Sequence, residues 1–245
     1  MNIYETPKLL AEYLLFHYGK DHEVLPWEFG PKSALNFAVR SVTELLDESI
    51  VPVNARALDL GCAVGRSSYE LARVSTEVIA IDYSQSFVDA AEAIRDGGIL
   101  DYPRLDEANA QTLLQAERPA IAEPKRIHFE QGDAMALRED LGTFDVLHAA
   151  NLLCRLSTPQ LLIKRLPELV KPGGQLLLTT PCTWLEEFTP ASNWPQGTTF
   201  EWLQKVLGEH FTLDLQLDLP FFIREHARKF QWSVAMGTRW IRKNT

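Results

Sequence analysis

ALDLGCAVGRSS, residues 57–68, is the stretch that decides the fold. It combines a short apolar strand that ends in an acid, a turn of small residues and the start of a helix. Gly61 and Gly65, with Ala63 between them, let the backbone turn tightly and approach a ligand closely. A dinucleotide-binding turn reads G-x-G-x-x-G, whereas this one reads G-x-A-x-G with Asp59 two residues before the first glycine. An acid at that place suits an ammonium group better than a pyrophosphate.

Apolar runs and helix-like segments alternate along the chain from this turn onward. The runs that predict buried strands are residues 78–82, 127–134, 144–151 and 174–180. The segments with apolar residues at helical spacing are 66–73, 86–96 and 159–170. A further helix is expected near 200–207, followed by two β-rich runs at 211–219 and 230–241. This alternation predicts an α/β fold with a mainly parallel, doubly wound sheet.

The length of the chain fits one domain with elaborations. We predict a single domain of residues 1–245, in which residues 53–245 form the core and residues 1–52 form a helical cap with a helix at 7–16. An insert at 97–125 interrupts the third connection from a helix to a strand. Because long segments in a compact domain are usually functional, the cap and the insert are candidates for a lid or a substrate wall.

The composition narrows the class of partner. The chain has 24 basic and 33 acidic residues, for a formal net charge of -9. This charge argues against broad binding to nucleic acid or to an anionic membrane, because both need a basic face, so a small-molecule substrate fits better. We expect a cytoplasmic protein, since no signal-peptide pattern or membrane-spanning run stands out. Three widely spaced cysteines predict neither a disulfide framework nor a metal site.

Polar residues follow the predicted strands at the end where ligands of open α/β sheets bind. Asp82 ends the second strand 21 residues after Gly61, a position where an acid accepts hydrogen bonds from ribose hydroxyls. Asp133 follows the third strand and Asn151 the fourth. We therefore expect Asp59, Asp82, Asp133 and Asn151 to converge on one crevice.

The turn, with its acid and small residues, resembles motif I of class I S-adenosylmethionine-dependent methyltransferases. The resemblance implies a Rossmann-like, seven-stranded, mostly parallel sheet whose last strand is antiparallel, with helices on both faces. It also implies S-adenosylmethionine as the cofactor and S-adenosylhomocysteine as the product. Asp59 would help to hold the methionine amino group, and Asp133 would contact the adenine amino group. The residues expected to bind the cofactor are Asp59, Gly61, Cys62, Ala63, Gly65, Asp82, Tyr83, Asp133, Ala134 and Asn151.

Three longer segments resemble one subgroup of these methyltransferases. Residues 13–19, 149–156 and 183–190 together resemble the methyltransferase domain of ovothiol-biosynthesis enzymes, with Cys182 standing where an aromatic residue is expected. This resemblance implies an N-methyltransferase that methylates a ring nitrogen of 5-thiohistidine to give ovothiol A. The implied catalytic residues are Asn151, whose amide would orient the nucleophile, and Tyr18.

Each polar group of such a substrate needs a partner. Arg155 could clamp the carboxylate or face the thiolate, or be a surface helix residue, and Glu186 or Glu187 could hold the ammonium group. Trp184 and Tyr18 could sandwich the ring, although a buried tryptophan more often serves core packing. The residues expected to bind the substrate are Tyr18, His17, Asn151, Arg155, Trp184 and Glu186.

Other interpretations fit the same residues. The cofactor motif is compatible with methylation of another small molecule, such as an amine, a carboxylate or a phenol, and with a non-catalytic module that binds S-adenosylmethionine. A nicotinamide-dependent dehydrogenase is disfavoured by the glycine pattern and by Asp59. His17 and His148 have the chemistry of a general base, but a histidine inside a strand, as His148 is, is more often a hydrogen-bonded core residue. The oligomeric state stays open.

Overall fold

The computed structural model describes residues 3–120 and 123–244, with the side chain of Ile3 left out. Its α-helices are α1 (Pro7–Tyr18), α2 (Asp21–Val24), α3 (Phe37–Thr43), α4 (Arg66–Val74), α5 (Gln85–Gly97), α6 (Pro159–Leu169) and α7 (Thr199–Leu207). Its strands are β1 (Arg56–Leu60), β2 (Glu77–Asp82), β3 (Ile99–Glu107), β4 (Ala110–Glu117), β5 (Ile127–Gln131), β6 (Phe144–Ala150), β7 (Val170–Thr180), β8 (Phe211–His226) and β9 (Lys229–Arg242).

The main sheet has seven strands in the order β5-β2-β1-β6-β7-β9-β8. The first five strands in this order pair with their neighbours in parallel. The strand β9 pairs antiparallel with both β7 and β8. The predicted Rossmann-like sheet with an antiparallel last strand is therefore confirmed. The topology reverses beside β1, which is where ligands of such sheets bind.

Alternation of side chains along β1 explains why the sheet is covered on both faces. Leu58 and Leu60 point into an apolar cluster that includes α6 and α7, and Ala57 points into a second cluster with α3 and α4. α5 buries one stripe of its surface, with Phe87, Ala91 and other apolar residues. Burial on both faces accounts for the nearly continuous apolar sequence of the central strands.

The last two strands are longer than the sequence predicts. β8 extends past Leu219 to His226, although Pro220 lies within it. The predicted strand ends at Leu219, and a proline lacks the N–H that a central strand needs. β8 is the edge of the sheet and pairs with β9 alone, so the missing donor costs no ladder hydrogen bond.

The insert at 97–125 is a β-hairpin made of β3 and β4. Its buried residues, among them Tyr102 and Leu114, pack in one cluster with Leu14 and Leu15 of α1. None of the described residues of the insert lines the large cavity at the carboxyl ends of the parallel strands. The expectation that the insert forms a lid or a substrate wall therefore does not fit the structure. The hairpin supports α1 from outside.

Candidate active site

A cavity of about 490 Å³ lies at the carboxyl ends of β1, β2, β5 and β6. Its volume is in the range of ordinary small-molecule sites. The cap closes one side with residues of α1 and α3, and the loops after the strands form the other. Predicted site residues on its wall are His17, Gly61, Ala63, Asp82, Tyr83, Asp133, Ala134, Asn151 and Arg155.

Asp82 is a buried carboxylate on the cavity wall. Its Oδ2 accepts a hydrogen bond of 2.8 Å from the backbone N–H of Ala63, and its Oδ1 accepts one of 2.9 Å from the N–H of Ser84. Burial raises the pKa of Asp82 to about 6, although these backbone donors oppose the rise. A carboxylate has about four acceptor sites, more than these backbone donors fill, so donors from a ligand would stabilise the ionised form.

The loops after β5 and β6 complete this side of the cavity. Asp133 accepts a hydrogen bond of 2.8 Å from the N–H of Met135 through Oδ1 and lies on the wall. Asn151 has a φ of 53°, in the left-handed region that only a few residue types tolerate. Its Oδ1 accepts a hydrogen bond of 3.0 Å from the hydroxyl of Thr179. This bond fixes the amide so that its Nδ2 donors are left for a ligand.

Three residues of the glycine turn lie behind the wall instead of on it. Asp59 is 1% exposed, and the Cys62 side chain is buried. Gly65 begins α4 with a φ of 85°, and a Cβ there would lie 2.6 Å from the ring of Phe129. Asp59, Cys62 and Gly65 were expected to face the cofactor. In the structure they shape the turn, while Gly61 and Ala63 lie on the wall.

Asp59 is engaged by the protein itself. Its Oδ2 accepts hydrogen bonds from the hydroxyls of Ser67 (2.8 Å) and Ser68 (2.6 Å), and its Oδ1 lies 2.8 Å from Nδ1 of His148. Burial works against ionisation, but His148 and the two hydroxyls hold the pKa of Asp59 below its usual value. Asp59 is thus a buried charge beneath the cavity. Its hydrogen-bond partner Ser67 lines the cavity, whereas Asp59 itself does not.

His17 and Arg155 line the same cavity. Nδ1 of His17 is buried without a hydrogen-bond partner. Burial lowers the pKa of His17 to about 3, so its imidazole is neutral near pH 7. The Arg155 guanidinium lies 4.7 Å from the ring centroid of Phe188 and donates a hydrogen bond to the carbonyl of Thr183. Glu187 lies on the exposed rim.

A short N-terminal turn, Ile3–Glu5, places Tyr4 on the cavity wall. The Tyr4 ring lies 5.9 Å from that of Phe87 and 6.4 Å from that of Phe188, so it bridges the two sides. The Glu5 carboxylate accepts hydrogen bonds from the N–H groups of Gln85 and Ser86 at the start of α5. A carboxylate at a helix N-terminus is stabilised by the unpaired N–H groups there. The sequence pattern did not identify this contact.

Three other predicted substrate residues lie off the cavity wall. The Tyr18 hydroxyl donates a hydrogen bond of 2.8 Å to the carbonyl of Val64, and burial raises its pKa well above the usual value. Trp184 donates from Nε1 to the hydroxyl of Thr199 and packs against the core. Glu186 is exposed beside the lining residue Glu187. The predicted sandwich of Tyr18 and Trp184 is therefore wrong, since both side chains support neighbouring elements.

Within residues 3–120 and 123–244, no cluster of histidine, cysteine and acidic side chains has the arrangement of a metal site. No helix in that part of the chain is long and apolar enough to cross a membrane.

Comparisons with known proteins point to one family. A family model described as a methyltransferase domain matches residues 32–217. The chain is 27% identical over 153 residues to the ubiquinone biosynthesis O-methyltransferase of Xanthomonas axonopodis pv. citri, covering 62% of this chain and 53% of that one. It is 27% identical over 135 residues to the enzyme of the same name from Coxiella burnetii, covering 55% and 47%. The chain spans about half the length of these relatives.

Solved structures share the fold at low sequence identity. The N-methyltransferase NodS from Bradyrhizobium japonicum, in complex with S-adenosylhomocysteine, superposes with a TM-score of 0.55 at 16% identity, covering 96% of this chain and 99% of that one. A methyltransferase from Bacillus halodurans, described as putative, superposes with a TM-score of 0.53 at 16% identity, covering 80% and 95%. At this level of identity, the likeness supports the fold alone.

Proposed function

Because the chain belongs to the methyltransferase-domain family and is an S-adenosylmethionine-dependent enzyme, we propose that it methylates a ring nitrogen of 5-thiohistidine to give ovothiol A. The single observation that carries the proposal is the continuity of the cavity. Asp82, Asp133, His17 and Arg155 all line this one cavity. A methyl donor and a small polar acceptor would therefore share one space.

The residues around the glycine turn fit the donor. A Cβ on Gly61 would lie 3.0 Å from a methyl carbon of Leu152, so the glycine keeps the cradle open. Asp82 would accept hydrogen bonds from the ribose hydroxyls, and Asp133 with Ala134 would hold the adenine. Once bound, the donor supplies a methyl group on a positively charged sulfur. The protein has to align the acceptor nitrogen with that methyl group and exclude water.

The acceptor end offers complementary groups for a zwitterionic heteroaromatic amino acid. Arg155 would pair with its carboxylate, and Glu187 at the rim would pair with its ammonium group. The neutral His17 ring would form part of the wall beside the acceptor. The free Nδ2 donors of Asn151 would orient the thiolate or the ring. Tyr13 and Phe188 provide aromatic walls.

A product analysis tests this assignment. The purified protein is incubated with S-adenosylmethionine and 5-thiohistidine, and mass spectrometry with fragmentation locates the added methyl group. Histidine serves as the matched acceptor without sulfur. We expect a methyl group on a ring nitrogen of 5-thiohistidine and at least tenfold slower methylation of histidine. Absence of a methylated thiohistidine, or methylation on its sulfur, overturns the assignment.

A phenol O-methyltransferase is the second candidate. Two observations favour it: the curated relatives are named ubiquinone biosynthesis O-methyltransferases, and aromatic side chains line much of the cavity. A catechol in the same acceptor panel separates the two candidates, because O-methylation adds the methyl group to a hydroxyl. Binding of S-adenosylhomocysteine without turnover of any acceptor would favour a non-catalytic binding module instead.

A further inference from the structure

The charged side chains on the cavity wall are mostly acidic. The described lining residues include the carboxylates of Asp82, Asp133 and Glu187, and Arg155 is their single lysine or arginine. His17 adds no charge near pH 7, because burial lowers its pKa to about 3. Since like charges repel, an anionic group of an acceptor would avoid the carboxylates. On the described wall, the Arg155 guanidinium is therefore the place where such a group can bind.

Uncharged groups hold Arg155 in place. Its Nη1 donates hydrogen bonds to the backbone carbonyls of Cys154 at 3.2 Å and Thr183 at 3.3 Å, and the guanidinium lies 4.7 Å from the ring centroid of Phe188. Within residues 3–120 and 123–244, no acidic side chain forms an ion pair with it. Nη1 carries two of the five N–H donors of the guanidinium, so three remain on Nε and Nη2.

Tyr4 lies beside this guanidinium. Burial raises the pKa of Tyr4, whereas the charge of Arg155 and a hydrogen bond from its guanidinium to the Tyr4 hydroxyl oppose the rise. The Tyr4 ring lies against those of Phe87 and Phe188, and the hydroxyl of Ser84 donates a hydrogen bond of 3.1 Å to the Tyr4 carbonyl. One donor to Tyr4 leaves two N–H groups of the guanidinium for a ligand.

We propose that Tyr4 holds the Arg155 guanidinium as a receptor for an anion, so that the enzyme selects acceptors that carry a carboxylate. The inference rests on the proposed function and deepens it by naming the substrate class. A guanidinium binds a carboxylate through two parallel hydrogen bonds, which also fix the orientation of the acceptor. 5-Thiohistidine carries this group, whereas unsubstituted catechol lacks it.

The two residues have different roles in this receptor. Arg155 touches the carboxylate and binds it through charge and hydrogen bonds. Tyr4 is a positioning residue that acts through Arg155. A long side chain loses rotamer freedom when it binds a ligand, and a fixed neighbour reduces that loss because the side chain is already ordered. Selection of the acceptor would thus depend on the N-terminal turn as well as on the loop after β6.

A binding measurement tests the substrate class without turnover. Isothermal titration calorimetry on the S-adenosylhomocysteine complex compares two acids with carboxamides of the same shape. The pairs are 5-thiohistidine with its carboxamide, and 3,4-dihydroxybenzoate with 3,4-dihydroxybenzamide. In the pair that binds more tightly, we expect the acid to bind about 10- to 100-fold better than the amide, since hydrogen bonds to a charged group are lost. Equal affinity within that pair, or no binding by either acid, overturns the proposal.

Three variants locate the selection. Arg155→Gln should abolish the preference for the acid. Tyr4→Phe keeps the ring and removes the hydroxyl beside the guanidinium, so it should reduce the preference by about three- to tenfold while the Kd of the amide stays within about twofold. Tyr102→Phe is the matched control, because it removes a tyrosine hydroxyl that lies outside the cavity and has no hydrogen-bond partner among the described residues. It should keep the wild-type preference.

The outcomes separate the receptor from the proposed function. If Tyr4→Phe weakens the acid and the amide equally, Tyr4 only lines the wall and its positioning role is refuted. An unchanged preference in Arg155→Gln refutes the receptor. Methyl transfer is scored separately, as kcat/KM for each compound. Preferred binding of the acid without methyl transfer leaves the receptor in place and refutes the proposed function, whereas equally fast methylation of acid and amide refutes the selection.

Discussion

Replacing Asp82 by Asn is expected to weaken binding of S-adenosylhomocysteine by roughly 30-fold, or about 2 kcal/mol. The substitution keeps the size of the side chain and removes its charge. Hydrogen bonds to a charged group contribute about 1.5 to 3 kcal/mol each, and ribose hydroxyls would donate to the Asp82 oxygens. In the wild type, the backbone N–H groups of Ala63 and Ser84 donate to the Asp82 carboxylate. In the variant, the NH₂ of the amide faces one of these donors, and that hydrogen bond is lost. Loss of that bond loosens the turn and adds to the effect.

The raised pKa of Asp82 gives this interaction a pH dependence. Burial raises it from 3.8 to about 6 in the free protein. Ribose hydroxyls donate to the ionised form, so protonation competes with binding, and Kd should rise about tenfold per pH unit below about 6. The effect on stability has the opposite sense. Between pH 4 and pH 6 the folded chain holds this proton more tightly than the unfolded chain, so the contribution of Asp82 to the free energy of unfolding falls as pH rises.

Isothermal titration calorimetry from pH 5 to pH 8 measures the Kd for S-adenosylhomocysteine, and its dependence on pH, for wild type and for Asp82→Asn. The control is Asp101→Asn on the exposed face of the β3–β4 hairpin, which keeps the wild-type Kd at each pH. The variant should show a larger Kd at pH 8 and a flatter pH dependence below pH 6. A Kd within threefold of wild type, or an unchanged slope with pH, would refute a direct role of this carboxylate in holding the ribose.

Three further substitutions test other parts of the site. Trp184→Phe removes the hydrogen bond to Thr199, so the free energy of unfolding in urea should fall by about 1 kcal/mol while the acceptor KM is unchanged; an increased KM would return Trp184 to the substrate site. Gly65→Ala places a Cβ 2.6 Å from the Phe129 ring at a φ of +85°, and should lower the free energy of unfolding by about 3 kcal/mol; an unchanged Tm would contradict this. Glu5→Gln removes the charge at the start of α5 and weakens the contact that holds Tyr4 on the cavity wall, so stopped-flow fluorescence should show S-adenosylhomocysteine dissociating about two- to fivefold faster. An equal rate would mean that this contact does not slow release of the ligand.

The fold follows from local patterns to a large extent. The central strands are buried on both faces, so their apolar runs stand out, and the segments between them have helical periodicity. The strand ends are marked by polar residues, which is why Asp59, Asp82, Asp133 and Asn151 were expected to meet in one crevice, and all of them except Asp59 line it. Differences occur where long-range context decides. Pro220 is compatible with a strand only because β8 is at the edge of the sheet.

The acceptor end was harder to predict, since its wall comes from segments that are distant in sequence. Trp184 and Tyr18 are aromatic residues near the cavity, but orientation decides that one supports α7 and the other supports the turn at Val64. No sequence pattern marks Ser41 as a site residue, because a serine on a short helix is common. It becomes noticeable only when β6 brings His148 within hydrogen-bond distance.

Asp59 joins α4 to β6 through hydrogen bonds beneath the cavity. The sequence places it correctly at the end of β1, but its oxygens are used by the protein rather than exposed to the cavity. An ionised buried carboxylate needs several donors, and those donors come from both α4 and β6. The same charge therefore anchors the helix that follows the donor cradle and orients His148. Removing Asp59 would therefore disturb α4 and the orientation of His148 together, whereas Asp82→Asn acts on the cavity wall alone.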